Sequence, residues 1–424
     1  MMRKKVLIIF IGIAFAFLSG GAFAETLEEA WNIGLQVNHT LKAAAQDTLS
    51  MQASLAAAKG SRLPTVNVGA GYRVLDNEPV SIAGNIQFST ADDTALSYHA
   101  MTSLPIYTHF QISSMINAAT AGMSASKYTE DALRQTIKLK IAEAYIAVLL
   151  RIRQIKVADS QDRSLAAHAG DVQNLYDEGM VSLNDLLAAK VALANAQQTT
   201  LRAQNRLDVA MAEYNRLLGR PLEQKFQLDV IPLVFPKIEL EALSAKALNN
   251  RSELASLKDQ IEALSWQAKA EKAVSGPKVD LVGGYDYNEN SHQLHEGVWQ
   301  AMARVSWDIF DGNVARNKGA VFTAKSRVVA EQLAELRSLI RLQVRQTWLD
   351  MNESRKRITV AETALDQADE NLTVTRNRYR EGVGTNTEVL DAESMKTVSY
   401  VRYDTAIHDA ALAILRLRYA VGEL

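Results

Sequence analysis

Two stretches of sequence decide the fold: LYDEGMVSLNDLLAA at residues 175–189 and RYREGVGTNTEVLDA at residues 378–392. Aligned without gaps, they share five residues, which are Tyr176/Tyr379, Glu178/Glu381, Gly179/Gly382, Leu187/Leu390 and Ala189/Ala392. Each stretch lies between two long helical patterns. Its glycine favours the left-handed conformation that ends a helix, and Ser182 or Thr385 can cap the helix that follows. Each stretch is therefore predicted to be the tip of a helical hairpin.

The first 24 residues have the pattern of a secretory signal peptide. Arg3, Lys4 and Lys5 precede an apolar run at 6–18 that is too short to span a bilayer, and Ala22-Phe23-Ala24 forms an A-x-A cleavage site. A retained membrane anchor is the less favoured alternative. Cleavage would leave Glu25 first and change the formal charge from −2 to −5, because the segment carries three positive charges and no negative one. This charge argues against a nucleic-acid partner.

The amino-acid composition limits the classes of protein to which the chain can belong. The chain has no cysteine, which excludes disulfides and a lipid attached to an N-terminal cysteine. With only seven prolines and many Ala, Leu, Glu, Lys, Arg and Gln residues, the sequence favours long helices over several globular domains. After the first tip, Leu186, Ala189, Leu193 and Ala196 begin a heptad pattern that predicts a coiled-coil seam.

The same order of elements occurs twice: a helix, two strands, a very long helix, a tip and a last helix. The predicted bounds are 1–24 for the signal peptide, 25–218 for the first repeat (strands about 65–74 and 94–104, tip 176–185), 219–238 for a linker and 239–424 for the second repeat (strands about 279–288 and 298–307, tip 379–388). A helix of about 65 residues is roughly 100 Å long. The predicted fold class is therefore mainly α with a small β part: duplicated long-helix coiled-coil hairpins plus four strands per chain.

The four predicted strands alternate apolar and polar residues, and aromatic residues recur in them or at their ends. The aromatic residues are Tyr72, Tyr98, Tyr285, Tyr287, Trp299 and Trp307. A sheet that faces lipid must close, because hydrocarbon cannot satisfy an open edge. Four strands are too few for closure, since the smallest such barrels have about eight, but three copies would supply twelve. From the alternation alone, a soluble β-layer packed on helices stays open as an alternative.

These features together resemble the TolC-like outer membrane efflux protein family. The resemblance covers essentially the whole mature chain and depends on the duplicated order of elements. Its motifs are Leu63-Pro64 before the first strand, WDIFDG at 307–312 after the fourth, and the tips Glu178-Gly179-Met180 and Glu381-Gly382-Val383. The missing N-terminal cysteine separates the chain from lipid-anchored members.

The resemblance implies a homotrimer whose twelve-stranded β-barrel lies in outer membrane lipid and continues into the periplasm as an α-helical barrel. Such a protein is an exit duct of a tripartite efflux pump or a type I secretion system. Its partners would be a periplasmic adaptor (a membrane fusion protein) and an inner-membrane transporter. Gly179, Met180, Gly382 and Val383 would lie at the adaptor-docking tips.

Two acidic residues after the second tip match the position of the family's periplasmic gate. In a trimer, Glu388 and Asp391 would form a ring of six carboxylates that favours cations. However, Thr385-x-x-Glu388 is also a capping box, and acidic residues favour a helix N-terminus. Both roles stay open for Glu388, and Asp391, one turn further on, is the better gate candidate.

No chemistry-bearing motif points to an enzyme. The sequence lacks a phosphate-binding glycine loop, a G-x-S-x-G motif and a cysteine nucleophile, so we expect no catalytic residue and no cofactor. His292-x-x-His295 with Glu289 and Glu296 is a weak metal signal, and we expect exposed loop histidines and no metal site. The competing class is a soluble periplasmic coiled-coil adaptor or structural interaction protein, which would not need detergent for extraction.

Overall fold

The computed structural model describes residues 24–424, so the predicted signal peptide lies outside the described residues except for Ala24. The helices are α1 Leu27–Val37, α2 His39–Gly60, α3 Gln111–Asp177, α4 Leu183–Leu217, α5 Leu240–Asn250, α6 Ser252–Ala273, α7 Val314–Arg380 and α8 Asn386–Val421. The strands are β1 Thr65–Val74, β2 Val80–Ala83, β3 Ile86–Ser89, β4 Thr94–Tyr107, β5 Lys278–Asn288 and β6 Gly297–Ser306. The predicted mainly α fold class is confirmed.

The two long helices dominate the chain. Helices α3 and α7 each have 67 residues, which corresponds to about 100 Å at 1.5 Å per residue. Within the described part of the chain, none of the helices combines the length and the apolarity needed to cross a membrane.

The helix predicted before each strand pair is broken once, which the sequence analysis did not foresee. Asn38 takes an extended conformation, and its Oδ1 accepts a hydrogen bond from the Leu41 backbone N at 3.0 Å, so it caps α2. Arg251 takes the same extended conformation between α5 and α6. Its guanidinium donates to Glu253 and to the carbonyl of Ala420. The break therefore recurs in both halves, although different side chains stabilise it.

The four main strands form one antiparallel sheet in the order β1-β4-β5-β6. Strands β1 and β6 are its edges, and each leaves one row of backbone groups unpaired within the sheet. The segment between β1 and β4, for which the sequence analysis gives no strand, contains a further element. Strands β2 and β3 form a separate antiparallel hairpin there.

The described chain divides into two compact units, and each unit draws residues from both predicted repeats. Unit 1 comprises the described residues up to Gly34 together with Ile141–Pro232 and Leu365–His408. Unit 2 comprises Leu35–Lys140, Leu233–Ala364 and Asp409–Leu424, and it contains the sheet. The core of unit 2 includes Leu254, Ile340, Val344 and Leu417. The core of unit 1 near the tips includes Val172, Leu186, Tyr379 and Val389.

Within unit 1, Glu25 is fixed against the segment that joins α4 to α5. The Glu25 backbone N donates to the Gln227 carbonyl at 2.8 Å, and the Glu25 carbonyl accepts from the Asp229 N at 3.0 Å. The Glu25 carboxylate pairs with Arg220 at 2.7 Å and accepts from the buried Tyr214 hydroxyl at 2.9 Å. A segment that has no helix is thus fixed by Glu25 together with hydrogen bonds from Tyr145 to the Asp229 carbonyl and from Asn215 to the Leu222 and Gln224 carbonyls.

Candidate functional site: an apolar sheet and two hairpin tips

The strand register carries one apolar face across all four strands of the sheet. Val68 lies opposite Ala100, which lies opposite Tyr285, which lies opposite Trp299. Directly opposed residues point to the same side of a sheet. The large residues on this side include Val66, Val68, Tyr72, Val74, Leu96, Tyr98, Leu281, Tyr285, Tyr287, Trp299 and Val305. Most of them are exposed in the single chain, and Trp299 is 82% exposed.

Aromatic rings gather on this apolar face and contact each other across strands. Tyr98 of β4 stacks on Tyr287 of β5 with ring centroids 4.5 Å apart. Tyr285 contacts Trp299 of β6 at 5.2 Å. Rings with one apolar side and one polar tip suit the boundary between lipid and water.

The opposite face of the sheet is mostly polar, although Met101, Val282, Val298 and Met302 also lie on it. Its residues include Asn67, Arg73, Ser97, His99, Asp280, Asp286, Gln300 and Arg304. His99 Nε2 lies 3.0 Å from Asn67 Oδ1, and Arg304 lies 3.9 Å from Asp280. A sheet with lipid-compatible residues on one side and hydrogen-bonding residues on the other has the two surfaces that a barrel wall requires.

The histidines considered as metal ligands lie in the loop between β5 and β6. His292 Nδ1 is 3.5 Å from the Asp92 carboxylate. The hydrogen bonds from Ser291 lower the pKa of Asp92. The Glu296 carboxylate accepts from the Tyr287 hydroxyl at 2.8 Å. The described residues contain no group of three or more potential ligands that could hold a metal ion.

Both tips have the backbone that the two quoted stretches predict. Gly179 and Gly382 take φ values of +74° and +73°. After each glycine, the next backbone N donates back across the end of the helix, from Met180 to the Leu175 carbonyl at 2.8 Å and from Val383 to the Arg378 carbonyl at 3.0 Å. These bonds satisfy carbonyls that would otherwise be unpaired at the helix end. Met180 and Val383 are exposed.

The helix after each tip begins with a reciprocal cap. At the first tip, Ser182 and Asp185 form the two bonds of a capping box. At the second, the Glu388 carboxylate accepts from the Thr385 backbone N at 3.0 Å, and the Glu388 N donates to the Thr385 hydroxyl at 3.3 Å. Glu388 therefore caps α8. Asp391 is exposed and forms no ion pair with a described residue.

A polar cluster inside the second tip was not predicted. Buried Asn386 donates from Nδ2 to the Asp185 carbonyl at 3.0 Å, so its Oδ1 accepts from His168 Nε2 at 2.7 Å. Arg376 donates to both the Glu393 carboxylate and the Ser164 hydroxyl. Residues of four helices thereby meet at one point of unit 1. The only sequence signal was that Asn386 replaces Leu183 in the aligned stretches.

Comparison with known proteins decides the family. The sequence matches the model of the outer membrane efflux protein family over residues 32–220 and 243–420. The chain belongs to this family. It is 23% identical to alkaline protease secretion protein AprF of Pseudomonas aeruginosa over 100% of this chain and 90% of that protein. It is 24% identical to outer membrane protein TolC of Vibrio cholerae over 99% and 96%.

Solved structures agree on the fold. The outer membrane protein VceC of Vibrio cholerae superposes with a TM-score of 0.80 at 17% identity, covering 93% of this chain and 96% of that one. Family membership identifies the protein as an outer-membrane exit duct that extends into the periplasm. The alternative of a soluble periplasmic adaptor is therefore wrong.

Proposed function

We propose that three copies of the chain close into one duct that serves a tripartite pump or a type I secretion system. The observation that carries this proposal is the sheet, whose apolar face is exposed and whose edges β1 and β6 are unpaired in one chain. The strands alternate in direction, so β6 of one copy can pair with β1 of the next in the same antiparallel sense. Three copies give twelve strands, within the range of known barrels.

The helices offer matching contact surfaces between copies. Helix α4 exposes Leu183, Leu187, Val191, Leu201 and Val209. Helix α7 exposes Val314, Val321, Val328, Leu339, Leu342, Leu349, Val360 and Val374. At 100° per residue, each set falls within about 120° of the helix circumference, which makes it a continuous stripe. Long apolar stripes without a partner in one chain fit the seams of a helical barrel built from several chains.

The oligomer can be tested on the mature protein extracted from membranes with detergent. Native mass spectrometry should give three chains per particle, and planar bilayers should show one conducting unit per particle. A monodisperse monomer that stays folded in buffer without detergent would overturn the proposal, because its apolar sheet face would then be stable in water.

We propose further that Asp391 and Glu388 form a carboxylate ring at the periplasmic entrance, with Glu388 also capping α8. The double variant Glu388→Gln/Asp391→Asn removes six charges from a trimer, while glutamine keeps the reach needed for a capping box. Block by multivalent cations added on the periplasmic side should weaken. Asp185→Asn, which changes the equivalent residue of the first tip, is the matched control and should leave the block unchanged. Equal block in the wild type, the double variant and Asp185→Asn would contradict the proposed ring.

The proposed partners are a periplasmic adaptor at the tips and an inner-membrane transporter behind it. Exposed Met180 and Val383, each held beside a left-handed glycine, support docking at this end of the hairpins. The protease secretion role in the name of one relative and the TolC name of another support a secreted or effluxed cargo chosen by the transporter. Cross-linking from a photoreactive residue at 180 or 383 should capture an adaptor in intact cells.

A further inference from the structure

Unit 1 contains a cavity of about 500 Å³ between α3 and α8, closed on one side by Leu365 of α7. Its volume lies in the range of pockets that hold small molecules. On α8 the cavity reaches Glu393, two residues after Asp391 of the proposed gate, whereas on α3 it lies further from the first tip. Ser164, its lining residue nearest to the end of α3, precedes that end by 13 residues (164 to 177), or about 20 Å along the helix.

The charges that line the cavity do not cancel. Glu393 is paired with Arg376, and Lys396 is paired with Asp369 at 2.8 Å. Three further cations line the cavity without forming an ion pair to any described residue, and these are Arg153, Lys156 and Arg163. Against these three stands one unpaired carboxylate, that of Asp404.

The side chain of Asp404 lies within the electrostatic field of two of these cations. Burial raises its pKa, while the positive charges of Arg153, His408 and Lys156 act in the opposite direction. A carboxylate already lies within the field of two of the unpaired cations but makes no salt bridge to them. The cations therefore keep the capacity to bind another anion.

The uncharged part of the lining mixes polar side chains, such as Gln161 and Thr397, with apolar and aromatic ones. Val157 and Leu365 contribute aliphatic surface, and Tyr400 and Tyr403 contribute rings. The Tyr400 hydroxyl donates to Asp369 at 2.8 Å, which fixes its ring and raises its pKa to about 12. Two kinds of surface thus adjoin, a cationic group on α3 and an apolar wall with oriented rings.

We propose that this cavity binds a small organic anion, with its carboxylate or sulfonate near Lys156, in the field of Arg153 and Arg163, and its aromatic or aliphatic body against Leu365 and Tyr400. Charge-assisted hydrogen bonds from a guanidinium suit such head groups. A bound anion would contact both α3 and α8, which belong to different repeats. The site does not depend on the protein forming a pore.

The test uses 2-naphthoate as the probe and the mature protein in a detergent-free amphipathic polymer, so that micelles do not take up the probe. Isothermal titration should show one saturable site per chain. The triple variant Arg153→Ala/Lys156→Ala/Arg163→Ala should weaken binding by about tenfold or more, because the head group loses its partners. The triple variant Lys190→Ala/Arg202→Ala/Arg206→Ala removes the same charges from the exposed face of α4 in the same unit and should bind like the wild type.

Two further measurements keep the result independent of folding defects. Asp404→Asn removes the one competing carboxylate and should tighten binding severalfold, a gain that misfolding cannot produce. The neutral analogue 2-naphthalenemethanol should bind at least about tenfold more weakly than naphthoate. Absence of saturable binding, equal loss in both triple variants, or equal affinity for the neutral analogue would each overturn the proposal.

Discussion

The two hairpin tips share a backbone but bury different chemistry. Tyr176 of the first tip is 36% exposed, whereas Tyr379 at the equivalent position of the second is 9% exposed. The contrast is larger one turn beyond the glycines, where Leu183 is 52% exposed and Asn386 is 3% exposed. The first tip presents apolar side chains to the outside, and the second encloses polar ones.

The comparison shows that the two copies of the tip have kept the same backbone while their side chains have diverged. Both tips keep the left-handed glycine and the reciprocal cap, because these set the path of the chain. The exposed side chains Met180, Leu183 and Leu187 make the first tip a contact surface. The internal bonds of Asn386 and Glu393 make the second tip a connection between helices of the same chain.

Removing Arg376 should have the largest effect on this contrast. Arg376→Ala leaves the buried Glu393 carboxylate without its cation, and breaking a buried ion pair costs about 3 kcal/mol. Amide hydrogen exchange in the first turns of α8 should then lose about 100-fold in protection, since each tenfold step is about 1.4 kcal/mol. The equivalent change in the first tip, Gln173→Ala, should lower the free energy of local unfolding by less than about 0.5 kcal/mol.

The double variant Arg376→Ala/Glu393→Leu decides whether the buried charge is the cause. It should recover most of the lost protection, because both charges are then absent. If the double variant is as unprotected as Arg376→Ala alone, the effect comes from lost packing, and the comparison between the tips weakens.

Exchanging the residues at 183 and 386 should have the next largest effect. Asn386→Leu leaves the buried His168 ring nitrogen without its hydrogen-bond partner and removes one of the donors to the Asp185 carbonyl, at a cost of about 1–3 kcal/mol. The reverse exchange, Leu183→Asn, occurs at a position that is exposed in one chain and should change the stability of that chain's own fold by less than about 0.5 kcal/mol, so that its effect falls on contacts between copies. Both are measured by the same amide exchange. Equal costs at both positions would show that the tips are not specialised.

The glycines should respond alike, and this tests the shared part of the comparison. An added Cβ at Gly179 or Gly382 meets no atom within 4 Å, so the cost of alanine comes only from positive φ. That cost is about 1–2 kcal/mol for an L-residue. Gly179→Ala and Gly382→Ala should lower local protection by the same amount. A difference above about 1 kcal/mol would mean that the two turns are not the same structure.

The sequence predicts those structural elements that depend on residues close together in the chain. Glycine and a hydroxyl residue a few positions later predict a tip, and the alternation in 279–288 predicts a strand, because both depend on neighbours in the chain. The Asn38 cap was missed although asparagine is a strong cap residue, since the apolar pattern continues on both sides of it. The β2–β3 hairpin was missed because its loop composition favours turns.

Contacts between distant residues could not be predicted in this way. His168 and Asn386 lie 218 residues apart, and no local pattern connects them. The same holds for the cavity lined by Arg153 and Tyr400, because it depends on which faces of two long helices meet. The positions of Glu388 and Asp391 in a ring stay a prediction, because a ring requires other copies of the chain.

Tyr379 should give the smallest effect, and it appears only at high pH. Burial, then the charges of Asp185 and Asp171, raise the pKa of its hydroxyl, so the folded state keeps a proton that the unfolded state loses above about pH 10. Stability conferred by Tyr379 is therefore present below that pH and lost as pH rises. The midpoint temperature of unfolding, measured by circular dichroism, should fall less steeply between pH 8 and 11 for Tyr379→Phe than for the wild type. Tyr176→Phe controls for the loss of a tip hydroxyl, and parallel curves for wild type and Tyr379→Phe would show that the second tip does not enclose this group.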